Sequence, residues 1–266
     1  MQITSTSNPR VKQVIKLRKR SYRDDAGLMI IEGCTELQRA LDNDFTFTEL
    51  FFCPELFKEN REENIFSQCK ELNINLIECS VPVFKKISYR ENPNGLLALA
   101  VQIKASLDQL PIKEKMLIVV AESIEKPGNL GTILRSADAS GADAVIVCDR
   151  CTDINNPNVI RASIGTIFTI PVIETSSDKA IEWLHKNKIK IVAATPQATQ
   201  LHTETDLSGN IAITVGAEKP GLTNTWLHAA DIKIKIPMLG QADSLNVAAS
   251  TTILLYEALR QRTNNS

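Results

Sequence analysis

Short runs of consecutive hydrophobic residues recur through the second half of the chain. Examples are "MLIVVAES" (116–123), "ADAVIVC" (142–148), "IKIVAATP" (189–196) and "NIAITVGAE" (210–218), and segments with helical spacing separate them. Strands that are buried on both faces have this composition, and helices interleaved with such strands are typical of parallel sheets. From Met116 onward the pattern predicts an α/β domain with a mainly parallel sheet and helices on both faces.

The first hundred residues predict a smaller, mixed α/β domain. Val11, Val14, Ile15 and Leu17 have the spacing of a helix with one buried stripe. Strands and helices that follow are predicted at 27–33, 34–43, 47–53, 55–72, 73–80 and 92–103. The polar stretch "KASLDQLPIKEK" (104–115) contains Pro111 and predicts a linker. We therefore predict an N-terminal domain over residues 1–107 and a C-terminal domain over 116–266.

Charge adds information through its distribution, because the formal net charge is only −1. Seven basic residues precede the first acidic residue, Asp24: Arg10, Lys12, Lys16, Arg18, Lys19, Arg20 and Arg23. Such a cluster can neutralise several phosphates of a nucleic acid and release their counterions. The alternative is an ordinary basic helix surrounded by solvent.

The remaining composition is typical of a globular intracellular protein. Hydrophobic residues make up 43% of the chain. We expect a cytoplasmic protein, because no apolar run approaches the ~18 residues of a membrane span and the N-terminus lacks a hydrophobic signal region. The six cysteines are spread along the chain. "CDRC" (148–151) lacks a second pair for zinc, so we interpret it as the end of a strand.

Three loops carry the candidate chemistry: "EKPGNLG" (125–131), "GAEKPGL" (216–222) and "PMLGQADSLN" (237–246). Their spacing matches a dinucleotide or triphosphate motif only weakly, the histidines form no triad pattern, and the acidic residues do not imply a metal site. Any chemistry must use Arg, Glu, Ser, Asn and backbone groups, which suits the positioning of two substrates. Alternatively, the glycines and prolines merely cap helices and strands.

In this order the three loops resemble the motifs of the SpoU or TrmH family of RNA ribose 2′-O-methyltransferases. The resemblance lies in "PGNLGTILRSADASGAD", "VGAEKPGL" and "IKIPMLGQADSLNVAAS", and it extends from about Met116 to Arg262. It implies a trefoil-knotted α/β domain that binds S-adenosylmethionine and works as a homodimer. General topology rules alone predict an unknotted, Rossmann-like sheet.

The resemblance also implies site residues. The positions that would bind the methyl donor are Thr195, Gly216, Ile236, Met238 and Leu245. The positions that match catalytic residues of the family are Asn129, Arg135, Glu218, Ser244 and Asn246.

Two of these residues have more than one possible role. Arg135 matches the arginine proposed to activate the ribose hydroxyl as a base. Because an arginine stays protonated, we favour binding of the neighbouring phosphate and stabilisation of the alkoxide. A surface salt bridge is the alternative for Arg135, and an N-cap is the alternative for Ser244.

This chain departs from the common family pattern at a few positions. Ala217 stands where an asparagine is frequent, Lys219-Pro220 replaces a pair of small residues, and Ala248 occupies a usual serine position. Lys126 replaces an acidic residue and adds positive charge near the expected RNA path. These departures put contacts to the donor in doubt, and they leave the reaction class unchanged.

The basic N-terminal segment resembles the substrate-binding domain of family members that modify ribosomal RNA. We therefore expect a structured RNA partner, with rRNA preferred and tRNA possible. The residues expected to bind RNA are Arg10, Lys12, Lys16, Arg18, Arg23 and Arg161. Two other functions remain open: a noncatalytic RNA-binding or ribosome-assembly factor, and a Rossmann-like enzyme that uses Asp149 to bind a ribose.

Overall fold

The computed structural model describes residues 2–149 and 152–264, which form two compact units. The first unit comprises Met1–Ile103 and Asn155–Thr169, and the second comprises Lys104–Ile154 and Ile170–Ser266. Residues 155–169, which sequence patterns place in the C-terminal domain, thus group with the N-terminal unit. The functional division into an RNA-binding and a catalytic domain stays a prediction.

The first unit is built on a four-stranded sheet in the order β1-β4-β2-β3. Strands β1 and β4 are antiparallel, as are β4 and β2, whereas β2 and β3 are parallel. Its strands are β1 (Leu28–Glu32), β2 (Phe47–Phe52), β3 (Asn75–Glu78) and β4 (Leu96–Val101). Its helices are α1 (Pro9–Lys16), α2 (Arg20–Ala26), α3 (Cys34–Asp42), α4 (Asn60–Glu71), α5 (Val81–Ile87) and α7 (Pro157–Ala162).

Helices α1 and α5 cover one face of this sheet. Val11, Val14 and Leu17 are at most 2% exposed, and they pack with Phe84 and Ile87 of α5 and with Ile30 of β1. Burial of each such side chain contributes about 1.5–3 kcal/mol. The predicted apolar stripe of the first helix is therefore the part of the helix that attaches it to the core.

The second unit contains a seven-stranded sheet in the order β7-β6-β5-β10-β8-β11-β9. All six neighbouring pairs are parallel. The strands are β5 (Leu117–Glu122), β6 (Ala144–Cys148), β7 (Val172–Thr175), β8 (Lys190–Ala194), β9 (Gln200–Leu201), β10 (Ile211–Val215) and β11 (Ile232–Lys235). The helices are α6 (Pro127–Ala139), α8 (Ser177–Lys186), α9 (Asn224–Ala229) and α10 (Val247–Asn264).

Alternate residues of these strands face two different helical layers. Ile118 and Val120 of β5 pack with Trp183 of α8 and Trp226 of α9. Leu117 and Val119 are equally buried, and alternation along a strand turns them to the opposite face. Helices α6 and α10 pack against each other and contact strands β6 and β10. The predicted parallel α/β architecture is confirmed.

Four short helices and strands were not predicted from the sequence: α2, α5, α9 and β9. Helix α5 consists of the seven residues "VPVFKKI", which make about two turns. Its Pro82 lies in the first turn, where proline is compatible with a helix. Strand β9 is two residues long. Elements this short lack enough periods to be recognised from hydrophobic spacing.

Candidate active site

The three candidate loops lie at one edge of the parallel sheet. The first loop follows β5, the second follows β10, and the third follows β11 and leads into α10. Because every neighbouring pair in this sheet is parallel, the carboxyl ends of these strands share the same edge. The structure thus brings the first loop to the second and third loops, from which it is about ninety or more residues away in sequence.

Glu218 connects all three loops through its carboxylate. Asn129 Nδ2 donates to Glu218 Oε1 at 3.1 Å, and Asn246 Nδ2 donates to the same oxygen at 2.9 Å. Asn246 Nδ2 also donates to Asn129 Oδ1 at 3.1 Å. Three residues that the resemblance assigns to catalysis therefore form one hydrogen-bonded cluster, which we call the Glu218 cluster.

Lys126 completes the Glu218 cluster from the first loop. Its Nζ donates to Glu218 Oε2 at 2.6 Å. The Lys126 ammonium, followed by the Asn129 amide, lowers the pKa of the Glu218 carboxyl below its usual value. The same contact raises the pKa of Lys126. Glu218 is therefore held as an anion that can accept hydrogen bonds.

Asn246 has a second task, as the cap of helix α10. Its Oδ1 accepts from the backbone N–H of Ala248 at 3.0 Å and of Ala249 at 3.4 Å. This is the capping role that the sequence alternative assigned to Ser244. Ser244 instead lines the cavities described below and is exposed. Because α10 is well packed, the cap fixes the Asn246 amide toward Glu218.

The second loop is folded tightly back on itself. A Cβ atom on Gly216 would lie 2.4 Å from both Gly221 C and Leu222 N, so only glycine fits there. Gly221 has a φ of +92°. The buried Glu122 carboxylate at the end of β5 then anchors the exit of the loop, since it accepts from Thr223 N at 2.9 Å and from Thr223 Oγ1 at 2.6 Å.

A cavity of about 950 Å³ lies beside the Glu218 cluster. Ligand sites in proteins commonly have volumes of about 300–1,000 Å³. The five residues expected to bind the methyl donor all line this cavity: Thr195, Gly216, Ile236, Met238 and Leu245. A smaller cavity of about 520 Å³ adjoins it, and Lys126, Asn129 and Asn246 line the smaller one.

The departures from the family pattern occupy different places. Ala217 and Lys219 line both cavities, and Pro220, which follows a cis peptide bond, lines the larger one. Ala248 is 3% exposed within α10, and its backbone N–H donates a hydrogen bond to Asn246 Oδ1. A serine hydroxyl is therefore not needed at position 248 for the cap.

Arg135 lies on the exposed side of helix α6, on the same helix as Asn129. It makes no hydrogen bond or ion pair with any residue that the structure describes, so the predicted alternative of a surface salt bridge finds no partner there. It does not line either cavity. The structure thus places Arg135 apart from the Glu218 cluster, as an exposed cation.

The N-terminal basic residues divide into exposed and structural ones. Arg10, Lys12 and Lys16 are exposed, and Arg10 lies 3.6 Å from Glu49. Arg18 donates to three carbonyl oxygens at the end of α5, those of residues 86–88, at 3.0, 3.2 and 2.7 Å. Arg161 is exposed on α7. An exposed basic surface is therefore present on the first unit, although Arg18 also stabilises its fold.

Arg23 does not belong to this exposed surface, contrary to the prediction. Its side chain is 1% exposed, and its guanidinium donates to Leu17 O at 2.8 Å and to Arg18 O at 2.9 Å. It therefore satisfies carbonyl groups that follow α1. The linear cluster of charges could not show this, because burial of one cation depends on how α1 and α2 pack.

Asp149, the residue on which a nucleotide-binding Rossmann site would depend, has other partners. It accepts from Ser177 N at 3.2 Å and from Ser177 Oγ, and Ser177 Oγ accepts from Trp226 Nε1 at 2.6 Å. Asp149 thus holds the start of α8. Of the "CDRC" motif, Cys148 is a buried free thiol, and residues 150 and 151 lie outside the described residues.

No group of three or more His, Cys, Asp or Glu side chains in residues 2–149 and 152–264 is arranged to hold a metal ion. None of the described helices has the length and apolar composition needed to cross a membrane.

The sequence motifs did not identify two residues of the site, Lys126 and Glu122. The signal for Lys126 was present, since it replaces an acidic residue next to Pro127, but its partner was not evident. Glu122 ends a buried strand, where a charged residue needs a partner. Its partner, Thr223, is 101 residues away.

Comparison with known proteins identifies the family of this chain. The sequence model of the SpoU rRNA Methylase family matches residues 116–256, and that of the MRM3-like substrate binding domain matches residues 8–98. The chain is 29% identical to the 23S rRNA (guanosine(2553)-2′-O)-methyltransferase RlmP of Bacillus subtilis, over 96% of this chain and 98% of that protein.

Solved structures show the same fold over the whole chain. A crystal structure of an RNA 2′-O ribose methyltransferase is 41% identical, with a TM-score of 0.86 and coverage of 99% of this chain and 100% of that one. The AdoMet-bound rRNA methyltransferase of Sinorhizobium meliloti is 29% identical, with a TM-score of 0.89 and coverage of 98% and 97%. Since the family model also matches more than half of the residues, this chain belongs to the SpoU rRNA Methylase family.

Proposed function

We propose that this protein transfers a methyl group from S-adenosylmethionine to a ribose 2′-OH of 23S rRNA. The observation that supports this best is the Glu218 cluster. It joins residues from all three motif loops, and it lies beside a cavity lined by the five residues expected to bind the donor. The similar 23S rRNA methyltransferase and the AdoMet-bound relative agree with this chemistry.

The larger cavity fits an S-adenosylmethionine molecule in its chemistry. Its wall combines apolar side chains, such as Met238 and Leu245, with loop backbone at the carboxyl ends of parallel strands. Gly216 leaves no room for a side chain where the loop turns back. When bound, S-adenosylmethionine supplies a methyl group made electrophilic by the positive sulfonium. The anionic Glu218 carboxylate lies in the wall of the same cavity and favours a cationic ligand.

In the transfer the acceptor oxygen would displace the neutral thioether of the donor from the methyl carbon and release its proton to water, so the site must align that oxygen and stabilise the charge that develops on it. Asn129 and Asn246 are held rigidly by Glu218 and by the helix cap, and this pre-organisation lowers the entropic cost of alignment. We assign Arg135, which lies outside both cavities, a second phosphate that flanks the acceptor ribose and the stabilisation of the developing alkoxide. Its exposure and lack of a described partner leave the guanidinium available for this role.

We infer that the protein acts as a homodimer in the cytoplasm, that the second unit is trefoil-knotted, and that the first unit recruits the rRNA through its exposed basic residues. The MRM3-like substrate binding match over residues 8–98 supports recruitment of RNA by this unit. Phosphate contacts of this kind position an RNA without reading its sequence.

The function is tested by methylation of rRNA from cells that lack the protein. The purified protein, labelled S-adenosylmethionine and this 23S rRNA should yield one ribose-methylated nucleotide, mapped by its resistance to alkaline hydrolysis. A tRNA pool from the same cells provides the comparison. Label transferred to tRNA alone would contradict the rRNA assignment, and binding of RNA without transfer would indicate a noncatalytic factor.

A further inference from the structure

The smaller cavity adjoins the proposed donor cavity and shares part of its wall. Residues that line both cavities are Ala217, Glu218, Lys219, Ser244, Leu245 and Val247. The described residues that line only the smaller cavity are Ile124, Glu125, Lys126, Asn129 and Asn246. A transfer between two substrates requires two adjoining sites, so the smaller cavity is the candidate site for the acceptor nucleotide.

Lys126 presents unused hydrogen-bond donors in this cavity. Its side chain is 66% exposed, and an ammonium carries three donors. One donor binds Glu218 Oε2, and the described residues offer Lys126 no other hydrogen bond or ion pair. The remaining donors are free for an anion that enters from solvent.

The position of Lys126 in the chain also favours an anionic ligand. It is the residue that precedes helix α6, and the first turn of that helix contains no acidic residue. A cation at this end opposes the helix dipole, so Lys126 does not stabilise α6 electrostatically. The helix N-terminus and the ammonium act in the same direction on an incoming anion.

The charge balance of the cavity depends on Lys126. Four charged residues line it, the cations Lys126 and Lys219 and the anions Glu125 and Glu218, which gives a formal sum of zero. Without Lys126 the sum is −1, and the cavity would repel an RNA backbone. We infer that Lys126 binds a backbone phosphate next to the acceptor ribose and links it to Glu218. This inference rests on the proposed function.

Lys126 is then a positioning residue on the acceptor side, and this chain carries it where an acidic residue is common. Each ribose of RNA adjoins phosphates, so a cation bound to one phosphate fixes the distance of the 2′-oxygen from the Glu218 cluster. Such a contact carries no base specificity. It adds to the salt dependence of binding, because a bound phosphate releases counterions.

The test compares Lys126→Met with a matched control, Lys113→Met. Lys113 is similarly exposed, at 64%, and forms a similar ion pair of 2.6 Å with Asp143, but it lines neither cavity. Filter binding of a 23S rRNA transcript, from about 50 to about 200 mM salt, gives the slope of log K against log salt.

We expect Lys126→Met to reduce the magnitude of this slope by about 0.7, the value for one phosphate of a single strand. Over a fourfold rise in salt, wild type should lose about 2.6-fold more affinity than the variant. Lys113→Met should leave the slope unchanged, and Lys126→Arg should retain most of it. Donor affinity, measured by calorimetry with S-adenosylmethionine, should stay within about twofold of wild type for Lys113→Met and for Lys126→Arg.

An unchanged slope for Lys126→Met, or an equal loss for Lys113→Met, would overturn the inference. The Glu218→Gln background separates binding of phosphate from mere support of Glu218. In that background Lys126→Met should still reduce the slope, and loss of the effect would show a purely structural role. Wild-type protein that neither methylates nor binds 23S rRNA would instead refute the proposed function, so the two failures are distinguishable.

Discussion

Gly216→Ala tests whether the fold of the second loop determines catalysis. The added Cβ would lie 2.4 Å from Gly221 C and Leu222 N and 2.5 Å from Gly221 O. Ordinary contact begins at 3.4 Å, so the loop would have to open by about 1 Å. Both neighbours are backbone atoms and cannot rotate away. A misplacement of this size near a reacting centre costs about 100-fold in rate.

We therefore expect Gly216→Ala to lower kcat/KM by about 100-fold, or about 2.7 kcal/mol in transition-state stabilisation. Because Leu222 and Glu218 both line the larger cavity, the affinity for S-adenosylmethionine should fall as well. The assays are transfer of labelled methyl groups to 23S rRNA and calorimetry with the donor. Urea unfolding should show a loss of about 1–3 kcal/mol, as is usual for overpacking.

Gly209→Ala is the matched control, since Gly209 precedes the same strand, β10, at its other end. A Cβ on Gly209 would meet nothing within 4 Å. This variant should bind the donor and methylate RNA as wild type does. If Gly216→Ala also retained full activity and donor affinity, the loop would accommodate the added Cβ, and the steric reasoning would be refuted.

Three further predictions concern separate contacts. Arg135→Ala should lower methylation by at least about 100-fold while donor affinity stays unchanged, and equal activity would remove Arg135 from the mechanism. Thr223→Val removes a 2.6 Å hydrogen bond to the buried Glu122 carboxylate and should lower the free energy of unfolding in urea by about 1.5–3 kcal/mol, whereas a change near zero would contradict the anchoring role. The Arg260 guanidinium lowers the pKa of Glu257 from 4.5 to about 2, so this carboxylate stabilises the fold above about pH 4.5 and the effect is lost toward pH 2. Glu257→Gln should therefore make the melting temperature depend less on pH between these values. An equal dependence of the melting temperature on pH in wild type and in the variant would refute this.

Local patterns in the sequence predicted the elements well where the elements were long. The continuous apolar strands β5, β6, β8 and β10 and the stripe of α1 follow from spacing alone, because burial on one or both faces imposes a period on neighbouring residues. The same patterns failed for α5 and α9, which are about two turns long. They also assigned residues 155–169 by position in the chain, whereas packing groups them with the first unit.

The candidate site was predictable as a set of residues and not as a set of contacts. Motif resemblance named Asn129, Glu218 and Asn246, and it named the five residues that line the larger cavity. It did not show that Lys126 pairs with Glu218, 92 residues away, or that Asn246 rather than Ser244 caps α10. Both depend on which loops the strand order brings to one edge of the sheet.

The sequence by itself determined the element types, the parallel sheet and the chemical groups available for the reaction, since these depend on composition and on short-range periodicity. The tertiary structure alone decided which charged side chains are exposed to solvent and which are hydrogen-bonded within the fold. Arg23 and Lys12 belong to one basic cluster in the sequence, yet Arg23 is buried against carbonyl groups and Lys12 is exposed. The physical reason is that burial and pairing are set by contacts across the fold, and the local sequence carries no record of them.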